Sequence, residues 1–258
     1  MADYDYTTTR VSKNAQNGIT VKPHTRRYKI KTKRKVPKTG VMLVGWGGNN
    51  GTTVTGGILA NRHKMSWETR EGRQTADYVG SICQSATMKI GDDELGREIY
   101  APLHSVVPML NPNDIVVGGW DISKMNLADG MDRACVFPRT LQDKLRPMMK
   151  DMRPLPSVYY PEFIAKNQAE RADNVIGGAD KQKHLNHIRN DIRTFKRKNK
   201  LDKVIVLWTA NTEKFSKIIK GVNDDADSLL NAIKSSHPEI SPSTLFAVAS
   251  ILEGCSYI

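Results

Sequence analysis

Unbroken apolar runs, rather than alternating ones, mark the strand candidates of this chain. Val41-Met42-Leu43-Val44 follows the punctuation of Pro37 and Gly40, and Lys203–Trp208 (KVIVLW) repeats the pattern far downstream. A strand apolar at every position is buried on both faces, as in a parallel sheet covered by helices. Residues 114–117 (DIVV) and 157–160 (SVYY) predict two more strands, and residues 255–258 begin another. Between them the apolar positions fall at helical spacing: Leu185, Ile188, Ile192 and Phe195 share one face of a helix over 181–198 whose other side is strongly charged. Residues 52–61, 126–133, 141–152, 225–235 and 242–253 predict the remaining helices. Ser241 caps the last of these, Pro242 takes its first position and Gly254 terminates it. Gly56 and Gly57 weaken the first by about 1 kcal/mol each relative to alanine while permitting close packing on the sheet. Residues 62–113 keep no period and read as an insertion. The alternation of strand and helix predicts an α/β fold, a Rossmann-like, mostly parallel sheet with helices on both faces.

Residues 1–40 stand apart. They are polar and basic, so they read as an irregular arm with at most a short strand from Lys29 to Lys33, around Ile30, leaving residues 41–258 as the main domain. The net charge of +12 is concentrated there, from Lys22 to Lys38, and again from Arg193 to Lys203. Such clusters attract nucleic acid, anionic lipid or phosphate. None of the nucleic-acid modules occurs in the sequence, which favours a solvated face or a subunit contact over a nucleic-acid partner. No apolar stretch approaches the ~20 residues of a membrane span and the start has no signal-peptide pattern, so the expectation is a cytoplasmic protein with no membrane partner. Cys83, Cys135 and Cys255 are odd in number and far apart, which suits reduced thiols rather than disulfides or paired zinc ligands. His184 and His187, three apart without further ligands, read as solvated helix surface, and no metal site is expected.

The chemistry begins where the first strand ends. In VMLVGWGGNNGTT a buried strand runs into Gly45, Gly47, Gly48 and Gly51 and then into a helix. A phosphate-binding turn needs glycines so that the backbone can turn tightly and let a pyrophosphate reach the amides at the positive end of the helix. The spacing is GxGxxxG rather than GxGxxG, and a tight turn with no ligand would use the same residues. Asn49 and Asn50 tilt the reading toward a ligand, because their amides can donate to phosphate or ribose oxygens. A dinucleotide also needs a carboxylate after the second strand to accept ribose hydroxyls, and Asp121 meets that need unless it is merely a solvent-facing turn residue. Ser157 with Val158, and Thr209, Ala210, Asn211 and Thr212, follow two further strands at the end where open parallel sheets bind ligands; Thr212 could instead cap a helix.

The blocks VMLVGWGGNNGTT, NPNDIVVGGWDIS, SVYYPEFIAKNQAERADN, DKVIVLWTANTEKF and SPSTLFAVASILEGC resemble, in order, those of the eukaryotic inositol-3-phosphate synthases. The resemblance runs over nearly the whole chain and implies NAD held by Gly47, Gly48, Asn49, Asn50, Asp121, Ser157, Val158, Gln168, Arg171, Thr209, Ala210, Asn211 and Thr212. Gln168 and Arg171 enter only through the resemblance, since by themselves they are a polar helix face. It also implies a homo-oligomer, a tetramer in the family, that oxidises glucose 6-phosphate with tightly bound NAD, closes the ring by an aldol step and reduces the product again. The family's catalytic lysines and aspartate follow an NGSPQNT-type block that these residues do not reach, so no catalytic residue is assigned here and an incomplete enzyme is expected. A non-catalytic NAD-binding or regulatory protein associating with complete subunits is the alternative.

Overall fold

The computed structural model describes residues 1–14 and 18–258, so residues 15–17 of the arm lie outside the described residues. The chain divides into two units, residues 1–36 and 37–258. In the first, β1 (Ala2–Lys13) and β2 (Ile19–Ile30) form an antiparallel hairpin in which Tyr4 faces Tyr28 and Val11 faces Val21. This corrects the irregular arm. Thr, Tyr and Val favour extended backbone, and cross-strand contacts such as Arg27 to Asp5 at 2.8 Å support the pairing. The extended part ends at Ile30 rather than reaching Lys33.

In the second unit the order along the chain is β3 (Thr39–Val44), α1 (Asn49–Arg62), β4 (Ser66–Thr69), β5 (Gly72–Thr75), α2 (Ile82–Ser85), β6 (Thr87–Asp92), β7 (Glu98–Pro102), α3 (Leu103–Val106), β8 (Val116–Asp121), α4 (Leu127–Ala134), α5 (Arg139–Met149), β9 (Leu155–Pro156), α6 (Lys181–Lys198), β10 (Lys203–Trp208), α7 (Ala226–Lys234), α8 (Pro242–Leu252) and β11 (Ser256–Tyr257). The central sheet has the order β11-β10-β3-β8-β9, with every pair parallel. Chain connections leave β3 toward β8 on one side and reach β10 on the other, so the switch point lies beside β3. Alternate residues of β3 enter different cores. Met42 and Val44 pack with Leu185, Ile188 and Ile192 of α6 and Phe246 of α8, while Leu43 packs with Leu59 of α1, Met131 of α4 and Leu145 of α5. This is a Rossmann-like fold, as the apolar runs of β3 and β10 predict.

Several boundaries differ from the sequence reading. The expected insertion folds into two hairpins, β4/β5 and β6/β7, closed at its base by the Arg62 guanidinium donating to the Asn113 and Ile115 carbonyls, each at 2.9 Å. The second core strand begins at Val116, not Asp114, and runs on through its two glycines to Asp121. A Cβ at Gly119 would lie 2.1 Å from the Leu43 carbonyl oxygen, so only glycine lets β8 approach β3 this closely. Residues 157–160 are not a strand. The ladder with β8 uses Leu155 and Pro156, after which Ser157 makes a single bridge to Val175. Prolines at 154, 156 and 161 deprive this edge of amide donors. Gly56 packs α1 against Phe137 and Leu145 rather than against the sheet, and a Cβ at Gly57 would meet nothing. His184 is 2% exposed, not a solvated surface residue; its Nδ1 lies 2.7 Å from the Tyr160 hydroxyl. Lys181 on the same helix is also buried, its Nζ donating to the carbonyls of His237, Pro238 and Ile240 at 2.9, 3.3 and 2.7 Å. Among the described residues no helix is long and apolar enough to cross a membrane, and all three cysteines are free.

Candidate functional site

A cavity of about 360 Å3 opens at the carboxyl ends of β3, β8 and β10, where parallel sheets place ligands at a switch point. Its floor is the glycine turn between β3 and α1. Gly45 has φ +94, and a Cβ there would lie 2.9 Å from the Ala210 backbone. The amides of Gly45 and Trp46 both donate to the Trp120 carbonyl, at 2.8 and 2.9 Å, fixing the turn to the end of β8. Gly51 sits where a Cβ would be 2.2 Å from the Trp46 carbonyl oxygen. These two glycines permit the turn itself.

Gly48 is the N-cap of α1 and provides no side-chain acceptor, and the first turn of the helix holds no acid. The first amides of a helix have no intrahelical partner, and its amino end carries partial positive charge. An anion can therefore be received here without displacing a side chain. Asn49 and Asn50 flank this end.

Asp121 ends β8 at 4% exposure. Its Oδ1 accepts from the Ser123 amide at 2.9 Å, and a Cβ at Gly47 would lie 3.2 Å from its Oδ2. Burial pushes its carboxyl above the ordinary value, against the Ser123 amide, Arg171, the Gly47 amide and Arg133, which pull it down. The open turn and the buried carboxylate, facing one cavity, fit the phosphates and a ribose of a dinucleotide. The solvent-facing alternative for Asp121 is excluded by its burial.

The walls come from both neighbouring loops. Ser157, 3% exposed, and Val158, 2% exposed, form one side. This segment is tied to β8 by Asn174, whose Nδ2 donates to the Asp121 carbonyl at 3.0 Å while its own carbonyl accepts from the Ser157 amide at 3.0 Å. Gln168 and Arg171 lie on a 3-10 turn, Lys166–Arg171, rather than a helix face, and the Arg171 guanidinium donates to Gln168 Oε1 at 3.2 Å. On the β10 side Thr209 donates both its amide and its hydroxyl to the Val44 carbonyl, each at 2.9 Å. That hydroxyl positions the loop. Ala210 and Asn211 complete the wall.

Of the thirteen residues the resemblance implies, the cavity is lined by Gly48, Asn49, Asn50, Asp121, Ser157, Val158, Gln168, Arg171, Thr209, Ala210 and Asn211; Gly47 and Thr212 are not among the lining residues. Sequence reasoning missed Arg133 of α4, which also lines the cavity. No spacing rule points to it, because it reaches the turn through the packing of α4 on α1.

Comparisons with known proteins agree in kind. A family model for NAD-binding domains, described as Myo-inositol-1-phosphate synthase, matches residues 39–258. Inositol-3-phosphate synthase of Dictyostelium discoideum is 54% identical over 258 residues, covering 100% of this chain and 50% of the relative. Inositol-3-phosphate synthase 1-B of Xenopus laevis is 56% identical over 258 residues, covering 100% and 45%. The crystal structure of inositol-3-phosphate synthase from Caenorhabditis elegans superposes with a TM-score of 0.94 at 49% identity, over 99% of this chain and 50% of that one. The chain thus spans about half the length of the relatives it matches.

Proposed function

The chain belongs to the myo-inositol-1-phosphate synthase family, and from that premise we propose that it is the NAD-holding half of an enzyme converting glucose 6-phosphate to inositol 3-phosphate. The observation that carries this reading is the pairing, in one cavity, of a helix N-terminus without a side-chain cap and a buried carboxylate at the end of the adjacent strand. In this reading the amides opening α1 receive the pyrophosphate, Asp121 accepts from the adenosine ribose hydroxyls, and Asn49, Asn50, Gln168, Arg171 and Asn211 supply polar contacts around them. Gly47, Val158 and Ala210 keep the backbone close to the ligand, while Ser157 and Thr209 order the loops beside it and Thr212 offers a hydroxyl on the loop after β10. NAD, when bound, supplies a hydride acceptor that becomes the donor for the closing reduction.

The sugar phosphate, the acid and base groups that move its protons, and the homo-oligomeric assembly belong to the family reading of the complete enzyme. The cytosol, where three free thiols stay reduced, is the proposed compartment. The full-length protein is expected to retain NAD through purification, measurable by its release on denaturation, and to form inositol phosphate from glucose 6-phosphate without added reductant. A folded full-length protein with neither retained NAD nor measurable NAD affinity would overturn the reading.

A further inference from the structure

We propose that Arg133 is the cation that faces the dinucleotide's phosphates at the start of α1, a role that rests on the NAD reading above and goes beyond the residues which that reading supplies. The Arg133 guanidinium carries five N–H donors. Among the described residues only Nη2 is engaged, donating to the Gly47 carbonyl at 3.0 Å and to Asn49 Oδ1 at 3.4 Å. Both partners lie in the phosphate turn. Arg133 forms no ion pair among the described residues, yet it borders the cavity beside Gly48, Asn49 and Asn50. The remaining donors are held next to a helix end that has neither an acidic first turn nor a capping side chain.

The charges around this point do not balance. Arg133 and Arg171 line the cavity with a single carboxylate, Asp121. Burial, then repulsion from Arg171, pulls the Arg133 guanidinium below its ordinary value, and Asp121 opposes this only in part. An anion in the cavity attracts both guanidiniums and so offsets the cost of burial and of their repulsion, and a planar fork suits phosphate oxygens better than a point charge does. The competing role is mechanical: through its Nη2 bonds Arg133 could simply brace α4 against the glycine turn.

Ligand dissection in the full-length protein separates these roles. Dissociation constants of ADP-ribose, AMP and adenosine are measured for the wild type, Arg133→Ala and Arg133→Lys, with adenosine binding and thermal melting reporting an intact site. A phosphate-facing cation predicts that Arg133→Ala weakens ADP-ribose and AMP about 10- to 100-fold. Adenosine should change less than about twofold, Arg133→Lys should recover part of the loss, and the salt dependence of ADP-ribose binding should flatten in Arg133→Ala. Equal losses for adenosine and ADP-ribose, or no loss for either, would overturn the proposal while leaving the NAD reading in place. A wild-type protein that binds none of these ligands and no NAD would sink that reading, and the role of Arg133 with it.

Discussion

At Asp121 the fold holds a carboxylate that is costly to ionise without a ligand. Its pKa is raised above the ordinary carboxylate value because burial outweighs the Ser123 and Gly47 amides and the two arginines. For an acid raised in this way, the stability linked to its protonated form is complete below the unfolded pKa. It is lost as pH rises through the folded one. In the proposed reading binding runs the other way, since the ribose hydroxyls would donate to the ionised form, so NAD affinity is expected to fall as pH drops through the raised pKa. Asp121→Asn keeps the shape and one acceptor but not the charge. Calorimetric titration should show NAD affinity reduced about 10- to 100-fold at neutral pH, the roughly 1.5–3 kcal/mol of a charge-assisted hydrogen bond. The pH dependence between the ordinary and raised carboxylate values should disappear with it. Unchanged affinity and an unchanged pH profile would remove Asp121 from the ribose.

Among the elements, the turn from β3 to α1 separates folding from binding within four residues. At Gly51 a Cβ would meet the Trp46 backbone at 2.2 Å, whereas at Gly48 its nearest neighbour is the Gly45 carbonyl oxygen at 3.0 Å. Gly51→Ala should therefore destabilise the protein by about 2 kcal/mol or more, read from denaturant unfolding. Gly48→Ala should unfold near wild type yet lose most NAD affinity, because the new methyl stands where the proposed reading brings the pyrophosphate. Equal effects of the two on both readouts would mean that the turn is only structural. This turn was legible in the sequence because strand, glycines and helix are contiguous. The same holds for β10, for α6 and for α8, whose Ser241 Oγ does accept from the Thr244 amide at 3.2 Å. What was not legible depends on distant partners. Arg133 reaches the turn across 86 positions to Gly47, Asn174 binds the Asp121 carbonyl 53 positions away, and His184 is buried by Tyr160. The hairpin β1/β2 escaped because its apolar residues, among them Tyr4, Tyr6, Val11, Val21 and Tyr28, are interleaved with charged and polar ones and stay exposed, so no buried face marks the period.

Over the whole molecule, this cavity at the switch point is where the proposed reading places the cofactor. Among the described residues its ionisable lining is Asp121, Arg133 and Arg171, with no lysine or histidine. Enolisation and aldol closure need groups that exchange protons near neutral pH; arginine does not deprotonate, and Asp121 is committed to the ribose in the proposed reading. At the sheet margin β11 pairs with β10 over only two residues, and Ile251, Leu252 and Ile258 near it are exposed. Val79, Ile82, Ile90 and Leu95 of the 62–113 segment are exposed as well. A short edge strand and exposed apolar side chains favour association with other chains. Residues 1–258 expressed by themselves should therefore bind ADP-ribose or NAD, form no inositol phosphate from glucose 6-phosphate, and associate as concentration rises. Light scattering coupled to size exclusion reads the last property, and a coupled phosphate-release assay on the product reads the second. A monodisperse monomer that turns over glucose 6-phosphate would show that catalytic groups reside in these residues after all, and would overturn the division of labour proposed between the two halves of the enzyme.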